Sequence, residues 1–488
     1  MSARREVKGN NEQKMGTDRG ISPQGRDTDG MAVLRPVLQW VTGVKAQHKF
    51  RLKPTQTILL SFVMMIGIGT LLLMLPASSA KDTTIPFMDA LFVSTSASCV
   101  TGLTVVDVKN DLTFFGKCVM LMLIQVGGLG IMTLGTMVVH AMGYRFRLKE
   151  SIVLKESLGQ SGRAGLFGLI RRMLIYTFTV EGIFALLLTL HFYPEYGMDA
   201  IGYGIFHAVS AFCNAGFDLF GNYDSLCGRQ EDYFLMACLG LSVMLGGIGF
   251  TVMYDVLHCR GWRKYSLHTK IVLVMNAILF AVGTLLIFAI EAGNESTIGA
   301  FSGGKQLAHA AFMSVSCRTA GFNSFDLSQT VQITQLVMII LMFIGASPLS
   351  TGGGIKCTVF FVIIRSVWAV FRGESQITVF GKAISNQLRN QAFAIFTVGT
   401  VWVVSMGMLL SVLDGEVHDL EEVIFETVSA FGTVGMGIGL TLTWDDWGKG
   451  LLALTMLLGR VGIMTFLMCF IQQRQTAVKY SEKDIMLG

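Results

Sequence analysis

Four short stretches of this 488-residue chain share a pattern whose chemistry would reside in the backbone: SASCVTGLTV from Ser96, SAFCNAGFDL from Ser210, SVSCRTAGFN from Ser314 and SAFGTVGMGI from Ser429. None holds a metal-ligand cluster or a catalytic pair. Each is anchored on a glycine, and the candidate site comprises Cys99-Val100-Thr101-Gly102, Cys213-Asn214-Ala215-Gly216, Arg318-Thr319-Ala320-Gly321 and Gly432-Thr433-Val434-Gly435. Four such loops around one axis turn side chains away and point carbonyl oxygens inward, replacing the water shell of a dehydrated monovalent cation. Stacking successive carbonyls inward alternates the backbone hand, and glycine takes φ > 0 freely, which explains the shared anchor.

The anchors are 114, 105 and 114 residues apart. Six positions before them stand Ser96, Ser210, Val315 and Ser429; ten before stand Phe92, Phe206, Ala311 and Phe425. One such tripeptide is a chance turn, but four at matched offsets make an internal repeat. Thr433-Val434-Gly435 resembles the core of a potassium-channel filter, and the sister loops are variations on it.

The elements that must hold these loops follow from length and polarity. Apolar runs of about 20 residues cross a hydrocarbon layer, and they occur near 56–76, 114–142, 168–192, 232–258, 270–290, 331–372 (interrupted), 391–413 and 449–472. Eight spans are therefore expected. Before each anchor lies a semi-apolar segment too short to cross, such as PFMDALFVSTSAS, which predicts a re-entrant helix; extended backbone at that depth survives only when buried in protein or facing water. The expected fold is an all-α polytopic membrane protein with four pseudo-repeats of outer helix, re-entrant pore helix, filter loop and inner helix around one central pore. Its parts are a basic tail over 1–53, repeats over 54–143, 144–258, 259–373 and 374–473, and a C-terminal tail over 474–488. The inner helices repeat as well: Gly127-Gly128-Leu129-Gly130 matches Gly246-Gly247-Ile248-Gly249 and Gly459-Arg460-Val461-Gly462, and small residues so close together permit tight helix approach.

Composition agrees. Apolar residues make up 52% of the chain and charged ones 15%, with a mean hydropathy of +0.57, which excludes a soluble multidomain protein. Arg145, Arg147, Lys149, Lys155 and Arg163, then Arg260, Arg263, Lys264 and Lys270, then Arg372, Lys382 and Arg389 mark loops on the cytoplasmic side. Acids mark the opposite loops: Asp107, Asp111, Glu195, Asp199, Glu291, Glu295, Asp414 to Glu422, Asp445 and Asp446. Both termini are thus expected in the cytoplasm. The first 53 residues are polar, basic and without periodicity, as a disordered tail is, and Met31 is a second candidate start. The charge of +5 reflects this topology and calls for no nucleic acid. Nine cysteines without CxxC spacing read as free, packed thiols.

One inner helix cannot be regular. Gly345-Ala346-Ser347-Pro348-Leu349-Ser350-Thr351-Gly352-Gly353-Gly354 separates two apolar runs, and proline with four glycines unwinds a helix. It starts 24 residues past Gly321; Arg460 lies 25 past Gly435 and so at nearly the same depth. A cation there faces a cavity or pairs with carbonyls, and the loop supplies them. GGGIKCT from Gly352 lacks the ending and the preceding strand of a phosphate loop, so Lys356 is expected to snorkel or to pair with polar backbone.

From about Gln56 to Gln473 the chain resembles the Trk/Ktr/HKT potassium transporters, most of all the Ktr membrane subunit (KtrB type). The likeness rests on VTGL, CNAGFD, RTAGF and GTVGMG, on QVGGLGIMT and LGGIGFTVMYD, on SPLSTGGGIKCT and on GRVGIMTF. It implies K+ uptake through one pore in the cell membrane, with K+ preferred over Na+ and Na+ often stimulating. It also implies a homodimer on a cytoplasmic octameric ring of nucleotide-binding subunits (KtrA type), with ATP, ADP or NAD(H) bound by the ring. Some Na+-admitting relatives carry serine at the first anchor, so Gly102 argues for K+. On this reading the 345–354 loop and Arg460 obstruct the pore below the filter, sterically and by repulsion, until the ring changes state; the alternative is an arginine that only ties down a helix break. Other function classes fare worse. A membrane enzyme needs converging catalytic groups, whereas Glu181, Asp255 and Glu426 lie on different spans, with Asp255 expected to cap or salt-bridge; a voltage sensor needs regularly spaced arginines. A ring-independent transporter of K+ or Na+, coupled to H+ or Na+, is the nearest alternative.

Overall fold

The structure, a computed structural model, describes residues 54–470 apart from 82, 142–162, 260 and 416. The expected tails at 1–53 and 474–488, Met31, Arg260 and most of the basic segment from Arg145 to Arg163 lie outside the described residues.

Helices follow one another in a fourfold rhythm. The first unit contains α1 (Pro54–Leu73), α2 (Phe87–Cys99) and α3 (Phe114–Ala141). The second contains α4 (Arg163–Tyr196), α5 (Ala200–Phe212), α6 (Tyr233–Gly247) and α7 (Phe250–His258). The third contains α8 (Leu267–Glu291), α9 (Gly303–Ser316), α10 (Gln332–Phe343) and α11 (Cys357–Phe371). A hairpin of β1 (Thr378–Val379) and β2 (Lys382–Ala383) precedes the fourth: α12 (Asn386–Asp414), α13 (Leu420–Gly432), α14 (Asp446–Val461) and α15 (Ile463–Phe470). Starts are set by side chains that accept otherwise orphaned N–H groups: Asp232 caps α6, Ser266 α8, Ser385 α12 and Asp445 α14. Asp255 accepts from the Thr269 hydroxyl at 2.6 Å and from Ser266 N–H, fastening the end of α7 to the start of α8.

Four uninterrupted candidate spans open the four units. They expose large apolar side chains, including Met64, Phe178, Leu285 and Met408, which suits hydrocarbon and not water. The sequence predicts eight spans with a single interruption; the structure breaks all four inner helices. Helices α6 and α7 meet at 94°, and α14 and α15 at 101°. Within α3, Gly130 has φ 65° and ψ −165°, and no helix joins Phe343 to Cys357. The cause is the last glycine of each motif: Gly130, Gly249 and Gly462 all have positive φ, which a right-handed helix cannot contain and glycine adopts freely.

The short helices α2, α5, α9 and α13 are the expected pore helices. Each packs against the outer helix of its own unit and the inner helix of the preceding one: α2 on α14, α5 on α3, α9 on α6 and α13 on α10. That order is cyclic and places the four helix ends around a centre. Glycines make the fit possible: a Cβ on Gly127, Gly246 or Gly459 would strike the carbonyl of Ser98, Phe212 or Phe431, in each case the fourth residue before the anchor glycine. Outer loops lace neighbouring units, through Asp107 to the Asn222 N–H at 2.7 Å and Leu226 N–H to the Asn323 carbonyl at 2.9 Å, and Lys449 of α14 pairs with Asp89 of α2 at 2.7 Å.

Backbone cannot yield as a flexible side chain does, so Gly459→Ala is expected to destabilise by about 1–3 kcal/mol, seen as a lower melting temperature in detergent. Gly182→Ala, with nothing within 4 Å of the new methyl, should gain up to about 1 kcal/mol from helix propensity. Equal melting temperatures for the two variants would refute the close approach.

Candidate functional site

At the end of each pore helix the chain reverses hand. Val100, Asn214, Thr319 and Thr433, each two residues before an anchor, have φ between 50° and 73°, and Gly102, Gly216, Gly321 and Gly435 have φ between 70° and 103°. Left-handed geometry at a non-glycine residue costs about 1–2 kcal/mol, and four matched instances require support. Hydrogen bonds to the pore helices provide it. The N–H groups of Thr101, Ala215 and Val434 donate to the carbonyls of Ser96, Ser210 and Ser429 at 2.7–2.9 Å. Gly102 and Gly435 donate N–H to the hydroxyls of Ser96 and Ser429 at 3.1 Å, whereas Ser210 donates its hydroxyl to the Phe217 carbonyl. In the third unit Val315 holds the serine's place, and the pattern slips by one: Ala320 and Gly321 bond the Ser316 carbonyl, and the Ser316 hydroxyl bonds the Phe322 carbonyl. Amides thus face the helix ends.

The four anchors share one centre. A Cβ on Gly102 would meet Ala215 O and then Gly216 Cα; on Gly216, Ala320 O and Gly321 Cα; on Gly321, Val434 O and Gly435 Cα; on Gly435, Thr101 O and Gly102 Cα. The circuit closes on itself, each anchor abutting the carbonyl just before the next anchor. Cys99 and Gly432, by contrast, are the last residues of α2 and α13, and Cys213 caps α5. These members of the candidate set, with Arg318, therefore sit at helix ends and not in the extended strand. The Arg318 side chain lines a separate cavity of about 40 Å³ with Asn276 and Ala346.

Outside the ring is a cavity of about 130 Å³, lined by all four anchors and by Asp107, Asp218, Glu426 and Thr441, a volume large enough for several waters. Many outer acids are structurally engaged. Asp107 accepts the N–H groups of Lys109 and Asn110, Asp218 that of Phe220, and Glu291 that of Val331.

Inside the ring lies the unwound segment. A bridge between Ile344 and Ile355 closes its base. Ser347 and Thr351 donate N–H to the carbonyls of Gly247 and Gly246, Gly354 to that of Gly459, and Leu349 accepts from Phe250. Its tip touches the ring strands: methyls on Gly352 and Gly353 would strike Thr319 and Thr433, and one on Gly354 would lie 3.2 Å from the Gly432 carbonyl. The Thr351 hydroxyl is 3.0 Å from Asn214 Oδ1, and Asn214 Nδ2 donates to the Thr319 hydroxyl at 3.2 Å. Arg460, 5% exposed, donates to the carbonyls of Thr351, Gly127 and Gly128. Lys356 donates to the Gly352 carbonyl at 2.7 Å, so it pairs with polar backbone.

The sequence pattern displays the serines of the repeat without assigning them a role, and it passes over Asn214 as a bridge. The intramembrane acids have separate partners: Glu181 accepts from Gln125 at 3.0 Å and Glu426 from Thr441. All nine cysteines are free, and six are buried.

Residues 32–479 match the TrkH family, described as a cation transport protein. The chain is 36% identical over 453 residues to the Ktr system potassium uptake protein B of Bacillus subtilis, covering 93% of this chain and 98% of that one. It is 38% identical over 437 residues to the protein of the same name from Vibrio alginolyticus, covering 88% and 94%. Against the potassium/sodium uptake protein NtpJ of Enterococcus hirae it is 36% identical over 456 residues, covering 92% and 100%. Among solved structures, the potassium transporter TrkH of Vibrio parahaemolyticus superposes with a TM-score of 0.68 over 91% of this chain and 92% of that one at 20% identity, which establishes a shared fold. With its helical membrane architecture and four repeated units, the chain belongs to the TrkH family of cation transport proteins.

Proposed function

We propose that the chain is the membrane subunit of a potassium uptake system and conducts K+ through the ring of four filter loops. The observation that carries this reading is the closed circuit of Gly102, Gly216, Gly321 and Gly435, each against the carbonyl preceding the next. Carbonyls so gathered, with their amides turned to the pore helices, replace a hydration shell. Relatives named as potassium uptake proteins support K+ as the ion, as does glycine at position 102. The protein sits in the cell membrane with both termini cytoplasmic. It works as a homodimer on an octameric ring of KtrA type, which holds ATP, ADP or NAD(H), and Na+ stimulates uptake.

The 345–354 loop with Arg460 is the gate. It lies directly under Thr319 and Thr433, and a fixed positive charge beside the pathway repels a cation. Arg460 holds the loop through Thr351 and the first unit through Gly127 and Gly128. Opening therefore means breaking the bond to Thr351, the contact with Asn214 and the backbone bonds to Gly246, Gly247, Phe250 and Gly459, while the arginine stays anchored on α3. A second reading, ring-independent uptake of K+ and Na+ together, draws on the name of the Enterococcus hirae relative.

In cells lacking their own potassium uptake, the chain should support growth at low K+, and omitting Na+ should slow it. Growth that neither depends on the ring subunit nor discriminates between K+ and Na+ would favour the second reading. Gly102→Ser, which forces a side chain into strained left-handed backbone at about 1–3 kcal/mol, should reduce K+ over Na+ discrimination roughly tenfold in uptake competition; full discrimination would refute the filter. Shortening the loop between Ser350 and Gly353, or Arg460→Met, should raise K+ flux without altering ion preference, and unchanged flux in both would refute the gate.

A further inference from the structure

The four units hold the strand leaving the filter in different ways. Nine residues before the anchors stand Val93, His207, Phe312 and Glu426. Val93 and Phe312 are buried core side chains. His207 accepts the Leu219 N–H on Nε2 at 3.3 Å, so Nδ1 carries the proton donated to the Tyr203 carbonyl at 2.8 Å. Glu426 is fully buried. It accepts the hydroxyl and, at 3.4 Å, the N–H of Thr441, and its Oε1 lies 3.0 Å from where a Cβ on Gly437 would stand. No basic side chain pairs with it among the described residues. A buried carboxyl without a countercharge is costly, and this one forms part of the wall of the outer cavity, with Gly437, Thr441 and the four anchors.

We propose that Glu426 is a specificity-determining positioning residue: through Thr441 and its close approach to Gly437 it clamps the strand that leaves Gly435. The inference rests on the filter reading above. A carbonyl ring free to contract suits the smaller Na+ as well as K+, and a strand held from behind resists contraction. The backbone N–H groups of Ile438 and Leu440 also face the carboxylate, but among the described residues Thr441 alone brings a side chain to it. The carboxylate offers two acceptor oxygens, and Thr441 supplies two donors to them. Gly437 lets the carboxylate reach the strand, because any side chain there would meet Oε1.

Uptake competition between K+ and Na+ in proteoliposomes, with melting temperatures measured alongside, tests this in Glu426→Gln, Thr441→Val and the double variant, with Gly102→Ser as reference. Each single change should lower K+ over Na+ preference about tenfold, as expected when a hydrogen bond to a charged group is lost, and the double variant should be no worse than the worse single. A drop with Glu426→Gln and none with Thr441→Val means the carboxylate acts without the Thr441 hydroxyl, which overturns the clamp. Uptake of both ions falling in proportion with melting temperature marks a general structural role and also overturns it. If neither variant shifts the ratio while Gly102→Ser does, the proposal fails and the filter stands; if none of them does, the filter reading fails with it.

Discussion

Four backbone segments have to meet with no side chain between them, and the rest of the molecule is arranged around that demand. At each anchor the space a Cβ would need is already taken by a carbonyl of the next unit, so the units complete one another and the ring exists only in the assembled fold. Reversed backbone before each anchor raises the cost of the arrangement. The offset comes from the pore helices, whose last carbonyls and serine hydroxyls take up the loop amides. Those helix ends are in turn held by glycines of the inner helices, which approach the carbonyls of Ser98, Phe212 and Phe431. Each layer leaves out a side chain so that the next can come close.

Fourfold repetition then fails where one unit has to do something different. In the third, valine replaces the serine, the hydrogen bonds slip by one residue, and the inner helix gives way to the loop under the ring. In the fourth, arginine takes the place of the second glycine of the motif and crosses to the loop and to the first unit. Loop and arginine are complementary departures: one brings carbonyls into the membrane interior, the other brings the donors that satisfy them. Lys356, beside the same glycines, shares the task.

Much of this is legible in the sequence because the repeat multiplies a weak signal. A lone Val-Thr-Gly says little, but the matched offsets of four anchors identify the ring, and the density of small residues between Gly345 and Gly354 identifies the unwound segment. The breaks at Gly130, Gly249 and Gly462 are not legible. Glycine in an apolar run signals close packing as readily as a bend, and only the backbone shows both at once. Positive φ at Val100 and Thr433 is likewise hidden, since neither residue favours it; tertiary hydrogen bonds impose it. Asn214 carried a hint, because asparagine tolerates the left-handed region better than most residues, but its bonds to Thr319 and Thr351 depend on segments 105 and 137 residues away.

Asn214 also shows why the ring and the loop cannot be treated as separate parts. Its backbone belongs to the second reversed strand, its amide nitrogen bonds the third, and its amide oxygen takes the hydroxyl of a loop residue. Under the gating proposed above, moving the loop away would remove the donor to Oδ1 and leave the bond to Thr319 intact. The arginine would behave in parallel, losing Thr351 and retaining Gly127 and Gly128. Backbone bonds to Gly246, Gly247, Phe250 and Gly459 also hold the loop, so its release would be a concerted step, whereas Asn214 and Arg460 each keep a partner outside it.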